Sequence, residues 1–183
     1  MLKKTLSDAI IEEILNNKID TAFVVTGGGS MHLNNSIGKS NLKTFYLHNE
    51  QSCSMAADAY ARITKKPALV CVTTGPGGIN ALNGVYGAYT DSIPMLIVSG
   101  QVKRQTLNNQ KRGLRQLGDQ ENDIVYMSSK ITKKSLILKS KKNYKKIINN
   151  LIKLATENRP GPVWIDIPID IQGKVIWDLP IKL

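Results

Sequence analysis

The sequence predicts a three-layer α/β fold: a mostly parallel, six-stranded sheet with helices on both faces. Short, nearly continuous apolar runs recur along the chain, the composition expected of strands buried on both sides. Most of these runs stop at a glycine-rich or helix-starting segment. Strand and helix patterns alternate about six times, which makes the helices crossovers between parallel strands.

A helix over 5–17 is predicted by Leu6, Ile10 and Ile14 at fourfold spacing, with Glu12 and Glu13 on the other side. Residues 21–26 (TAFVVT) form a strand that Gly27, Gly28 and Gly29 end abruptly. A strand over 44–47 leads into a helix over 50–63. Another strand, 68–73, meets Gly75-Pro76-Gly77-Gly78 and a small-residue helix reaching about Tyr89. Residues 95–98 read as the fourth strand. Beyond a polar, basic connection, 135–138 is a strand, 143–156 a helix and 163–167 the closing strand.

A length of 183 residues with 42% apolar content suits one globular domain. Residues 1–176 are assigned to it, and 177–183 read as the start of a connector. No apolar run approaches the ~20 residues that span a bilayer. The start MLKKTLSDAIIEE carries acids too early for a signal peptide. Cys53 and Cys71 lack metal or redox spacing and sit in apolar surroundings, so buried, reduced thiols and a cytoplasmic location are expected. The net charge is +11, and all of the excess falls between residues 101 and 153. That window reads as a solvated face, an anion-binding patch or a surface for a missing partner. No aromatic residue interleaves the charges between Gln101 and Val125, so base stacking has no support there and nucleic acid is disfavoured.

In a parallel sheet, ligands bind beyond the carboxyl ends of the strands. Both glycine loops and Glu50 follow strands directly and therefore share that edge. Neither loop completes G-x-G-x-x-G, since His32 and Asn80 stand at the last place, and no G-K-[ST] follows. A tight turn and close backbone approach to a flat ligand remain the two readings of 75–78. Glu50 opens a helix, where a carboxylate complements the macrodipole or serves a ligand. The helix after it is rich in alanine, so another body can pack closely on it. Asp91 is a rival acid, but it precedes Ser92-Ile93-Pro94 and suits a turn cap. His32 and His48 are too few to build a metal site, and no metal ligands are assigned.

Taken in order and spacing, residues 23–29 (FVVTGGG), 48–51 (HNEQ) with 59–62 (AYAR), 73–80 (TTGPGGIN), 91–95 (DSIPM), 118–121 (GDQE), 159–163 (RPGPV) and 166–168 (DIP) resemble one family. It is the thiamine diphosphate-dependent enzymes of the acetolactate synthase type, and the resemblance covers their N-terminal, pyrimidine-binding domain. It implies that Glu50 hydrogen-bonds a ring nitrogen of the aminopyrimidine and activates the cofactor toward 2-keto acids. It implies that Gly27, Gly28, Thr74, Gly75 and Asn80 line the pyrimidine, and that Gln120 lies on the substrate side. Gly27, Asn49 and Asp119 depart from the proline, histidine and phenylalanine common in acetolactate synthases. The Gly-Asp-Gly motif that holds Mg²⁺ and the diphosphate in this family is missing. The resemblance therefore implies Mg²⁺ in a further domain or subunit, a homodimer built around the shared site, and no activity from these residues alone. It leaves FAD possible but unsupported. A basic nucleic-acid-binding module and a non-catalytic scaffold of the same fold stand as alternatives.

Overall fold

Residues 3–107 and 113–177 are described by a computed structural model of the protein. In chain order the elements are β1 (Lys3–Thr5), α1 (Leu6–Asn16), β2 (Thr21–Val24), α2 (Met31–Lys39), β3 (Lys43–Tyr46), α3 (Glu50–Thr64), β4 (Leu69–Val72) and α4 (Pro76–Thr90). They continue with β5 (Met95–Gln101), α5 (Ile124–Ser128), β6 (Lys134–Ile137), α6 (Tyr144–Thr156), β7 (Pro162–Pro168), α7 (Ile169–Gln172) and β8 (Val175–Trp177). Six strands form one sheet in the order β3-β2-β4-β5-β7-β6, and every neighbouring pair in it is parallel.

Position in the sheet explains the sequence pattern. The four inner strands are buried along their whole length, whereas β3 and β6 at the edges are partly open. Alternate sheet residues feed two cores. Val24, Leu69, Leu96 and Ile165 pack with Ile10, Ile14, Ile37 and Leu151 from α1, α2 and α6. Phe23, Val70, Ile97 and Trp164 pack with Ala57, Ala81 and Val85 from α3 and α4 and with Ile124 from α5. The predicted three layers are therefore present, and all six strands run parallel.

Three features go beyond the expectation. The segment after Gly29, unassigned from sequence, turns through residues 28–30 and becomes α2. Only Leu33, Ser36 and Ile37 are buried in that helix, too little apolar periodicity to announce it. The ends of the described chain pair as a separate antiparallel ribbon, β1 with β8, a contact no local pattern encodes. Thr5 also caps α1 through a reciprocal capping box with Asp8, a device typically contributing about 1 kcal/mol. The connector at 178–183, and Lys111 and Arg112 of the basic window, lie outside the described residues. Among the described residues no helix is long and apolar enough to cross a membrane.

Candidate functional site

From β2 the chain crosses outward to β3, whereas from β4 it crosses the opposite way to β5. Adjacent strands with diverging connections leave a crevice at their carboxyl ends, where open α/β sheets bind ligands. Here β2 delivers Gly27 to Gly29 and β4 delivers Thr73 to Gly78, so both glycine loops flank this switch point.

Glu50 enters the crevice from β3. The Asn49 side chain accepts from the Gln51 backbone N–H at 2.8 Å and so starts α3 at Glu50. Glu50 is half-buried. Its Oε2 accepts from Asn80 Nδ2 at 3.0 Å. Its Oε1 lies over Gly77, where a Cβ would stand 3.2 Å away. Beneath it, burial chiefly, and the nearby Glu50 charge second, push the Cys53 thiol up to about 12.

The glycines fit tightly where they meet the fold and leave room where they do not. A Cβ on Gly27 would lie 2.5 Å from Thr73 Cβ, and one on Gly77 2.8 Å from Thr73 Cγ2. Thr73 Oγ1 in turn accepts from the Gly29 N–H at 3.0 Å. Thr73 thus ties the first loop to the second. Gly28 has nothing within 4 Å of its missing Cβ, so bare backbone faces open space there. Gly75 adopts φ +61° and ψ −125°, a region that favours glycine, and a Cβ would lie 2.4 Å from the Gln120 carbonyl oxygen. Pro76 then occupies the first turn of α4, a position that needs no N–H donor.

All seven sequence-predicted residues thus converge on this edge. Glu50 and Asn80 are hydrogen-bonded, Gly27 and Gly28 form one wall, and Thr74, Gly75 and Gln120 form another. Asp91 does not join them. It caps the end of α4 and pairs with Arg62 at 2.6 Å. The close-packing body anticipated for the alanine-rich helix is α4: a Cβ on Gly84 would come 2.3 Å from Ser54 Oγ.

A buried polar network behind the second loop escaped the sequence reading. Thr74 Oγ1 donates to Gln101 Oε1 at 2.6 Å, and Gln101 Nε2 donates to Asp166 Oδ2 at 3.0 Å. Ser99 Oγ donates to Asp166 Oδ1 at 2.5 Å, while Trp164 Nε1 donates to Ser99 Oγ at 2.8 Å. Asn122 adds a bond from Nδ2 to the Gly75 carbonyl at 3.3 Å. An acid inside the otherwise apolar run 162–168 was the available signal. Next to this network lies a cleft of about 580 Å³, lined in part by Arg104, Arg115 and Lys139 from the basic window. Several cations of that window serve the fold: Arg104 pairs with Asp170 at 2.8 Å, and Lys133 donates to the Glu157 carbonyl at 2.9 Å.

The chain is similar to known proteins. The family model described as "Thiamine pyrophosphate enzyme, N-terminal TPP binding domain" matches residues 4–125. Acetolactate synthase 3, chloroplastic, of Brassica napus is 32% identical over 97% of this chain and 27% of its own length. The acetolactate synthase large subunit of Buchnera aphidicola is 34% identical over 92% of this chain and 28% of its own length. That of Haemophilus influenzae is 32% identical over 93% of this chain and 29% of its own. The chain thus spans under a third of the length of these relatives. With the glycine loops and the half-buried glutamate both in place at the switch point, the chain belongs to the thiamine pyrophosphate enzyme family, as its N-terminal TPP-binding domain.

Proposed function

We propose that this domain receives the aminopyrimidine ring of thiamine diphosphate in an acetolactate synthase-like enzyme that decarboxylates or condenses 2-keto acids. The observation that carries the reading is the Glu50 carboxylate at the switch point, with one oxygen held by Asn80 and the other over the bare Cα of Gly77. A flat heterocycle fits such a crevice, because Gly28 presents bare backbone to open space where a side chain would block its approach. When bound, thiamine diphosphate supplies the carbanion chemistry.

The work of this chain is to orient that ring and to exchange a proton with it. Asn80 fixes the rotamer of Glu50, so that the second carboxylate oxygen is aimed at a ring nitrogen. Carboxyl groups are suited to sharing a proton with a weakly basic nitrogen once water is excluded. Gln120 lies across Gly75 and lines the substrate side. The departures at Gly27, Asn49 and Asp119 bear on which keto acid is taken and leave the carboxylate itself intact.

The diphosphate and Mg²⁺ fall to a further domain or subunit, and Trp177, paired with Lys3 in the β1–β8 ribbon, belongs to this domain rather than to a connector. A homodimer, with Glu50 facing the other chain, completes the site. FAD has no residues assigned to it in this domain. The two free, buried thiols suit the cytoplasm.

The test is Glu50→Gln in the polypeptide or pair of polypeptides that also carries the diphosphate-binding part. Keto-acid turnover is expected to fall roughly 10²- to 10⁴-fold, with protein folding unchanged. Full turnover by the variant would remove the assignment.

A further inference from the structure

Asp166 lies on the inner strand β7 with 2% of its surface exposed, and its carboxylate is held by hydrogen bonds from uncharged side chains, not by the ion pair that normally accompanies a buried acid. Every bond to its carboxylate is a donated one: Ser99 Oγ reaches Oδ1 and Gln101 Nε2 reaches Oδ2. The orientation of the Gln101 amide is fixed from outside. Its Oε1 accepts from the Val102 backbone N–H at 3.0 Å, and its Nε2 donates to the Asn122 backbone carbonyl at 3.0 Å. A backbone N–H only donates and a carbonyl only accepts, so the amide cannot turn over without breaking both. With the amide held this way, Oε1 is the acceptor for the Thr74 hydroxyl at 2.6 Å. The chain of donors therefore runs from the glycine loop into the sheet and ends on Asp166.

We propose that Asp166 is a positioning residue for the cofactor loop: acting through Gln101, its carboxylate holds Thr74 and the turn at Gly75 in the shape that borders the pyrimidine. This rests on the reading that the turn lines the thiamine site. Charge is what makes the hold firm, because bonds to an ionised acceptor are roughly twice as strong as neutral ones. A proton on Oδ2 would set two donors against each other at Gln101. A proton on Oδ1 would orphan the Ser99 hydroxyl and leave Gln101 donating to a neutral carbonyl. Either way the Thr74 anchor slackens.

The protonation is within reach. Burial, partly offset by the Ser99 and Gln101 bonds, raises the Asp166 carboxyl to about 7, and the charge of Asp123 adds to the rise. From β5 only the uncharged Ser99 and Gln101 face the carboxylate. The charged groups on the neighbouring elements line the adjoining cleft with it: Arg104, Arg115, Glu121, Asp123 and Lys139. That cleft gives the carboxylate a route for protons. The loop is thus held firmly above about pH 7 and loosened below it.

Thiamine diphosphate affinity, measured by titrating the cofactor into the complete enzyme after it has been stripped of cofactor, tests this. The proteins are the wild type, Thr74→Val, Asp166→Asn and the double variant with Thr74→Val. At about pH 8, Thr74→Val and Asp166→Asn should each weaken binding about three- to tenfold, and the double variant should be no weaker than either. The Thr74→Val to wild-type ratio of Kd should fall toward one at about pH 6. The ionisation of the diphosphate cancels in this ratio. Should Asp166→Asn not fold, the pH dependence of the Thr74→Val to wild-type ratio decides alone. Additive losses or a ratio that ignores pH would overturn the proposal while leaving the thiamine reading intact. A wild type that binds no thiamine diphosphate would overturn both.

Discussion

Asn80 donates its side-chain amide to the Glu50 carboxylate, Nδ2 to Oε2 at 3.0 Å, across the junction of α3 and α4. The two residues are far apart in sequence, and each is set by its own strand-to-helix turn, so this bond registers one turn against the other. Asn80→Ala removes a donor to a charged acceptor, a bond typically worth about 1.5–3 kcal/mol. Cofactor-dependent turnover of the completed enzyme is expected to fall roughly ten- to hundredfold. Asn80→Asp, which sets a second carboxylate against Glu50, should cost more. Equal activity in both variants would detach Asn80 from the site.

Two glycines in the same helix predict opposite outcomes. A Cβ on Gly84 would lie 2.7 Å from the Met55 backbone nitrogen as well as against Ser54, so Gly84→Ala must part α3 from α4. Overpacking of this kind typically costs about 1–3 kcal/mol. Gly87 has nothing within 4 Å of its missing Cβ, and alanine is the better helix former by about 1 kcal/mol. Urea unfolding should show a lower midpoint for Gly84→Ala and an equal or higher one for Gly87→Ala.

Stability should also carry the signature of Asp166. An acid raised from an ordinary value of 3.8 to about 7 by burial holds its proton longer in the folded state than in the unfolded chain. Folded protein therefore binds more protons between those values, and stability declines as the pH rises through that interval. The loss is on the order of a few kcal/mol, complete by about pH 7 and constant above it. Asp166→Asn removes the titration. The difference in unfolding free energy between variant and wild type, followed from about pH 4 to about pH 8, should move steadily in favour of the variant. A flat difference would show that Asp166 ionises as easily folded as unfolded.

Thiol reactivity offers a simple check on the core beneath the site. Burial raises both Cys53 and Cys71 to about 12, so almost no thiolate exists near neutrality. Iodoacetamide at about pH 8 should leave the native protein unlabelled and modify both cysteines after denaturation. Rapid labelling of the native protein would place one thiol outside the core.

Where the sequence was legible, the reason is burial. Inner strands such as β4 read as apolar runs because both faces are covered, and the glycine loops read as a site because the turns after them demand bare backbone. The helix α2 was hidden because Leu33 and Ile37 alone face the core amid serines and asparagines. Glu50 was visible as the acid opening a helix, whereas Asp166 showed only as an acid in an apolar run, with nothing local to name its partners. Its partners Ser99, Gln101 and Thr74 come from two other strand ends, and such a network exists only once the strands have assembled.

The pairing of Lys3–Thr5 with Val175–Trp177 sets an order on synthesis. The Leu6 N–H bonds the Lys174 carbonyl and the Ser7 hydroxyl donates to that of Gln172, so the first helix of this domain is fastened by residues made some 165 positions later. Since chains emerge from the ribosome N-terminus first, α1 must wait, unclasped, until nearly the whole domain has been translated. The ribbon works as a closing latch, and a nascent chain that stalls before it leaves α1 packed on the core without its clasp.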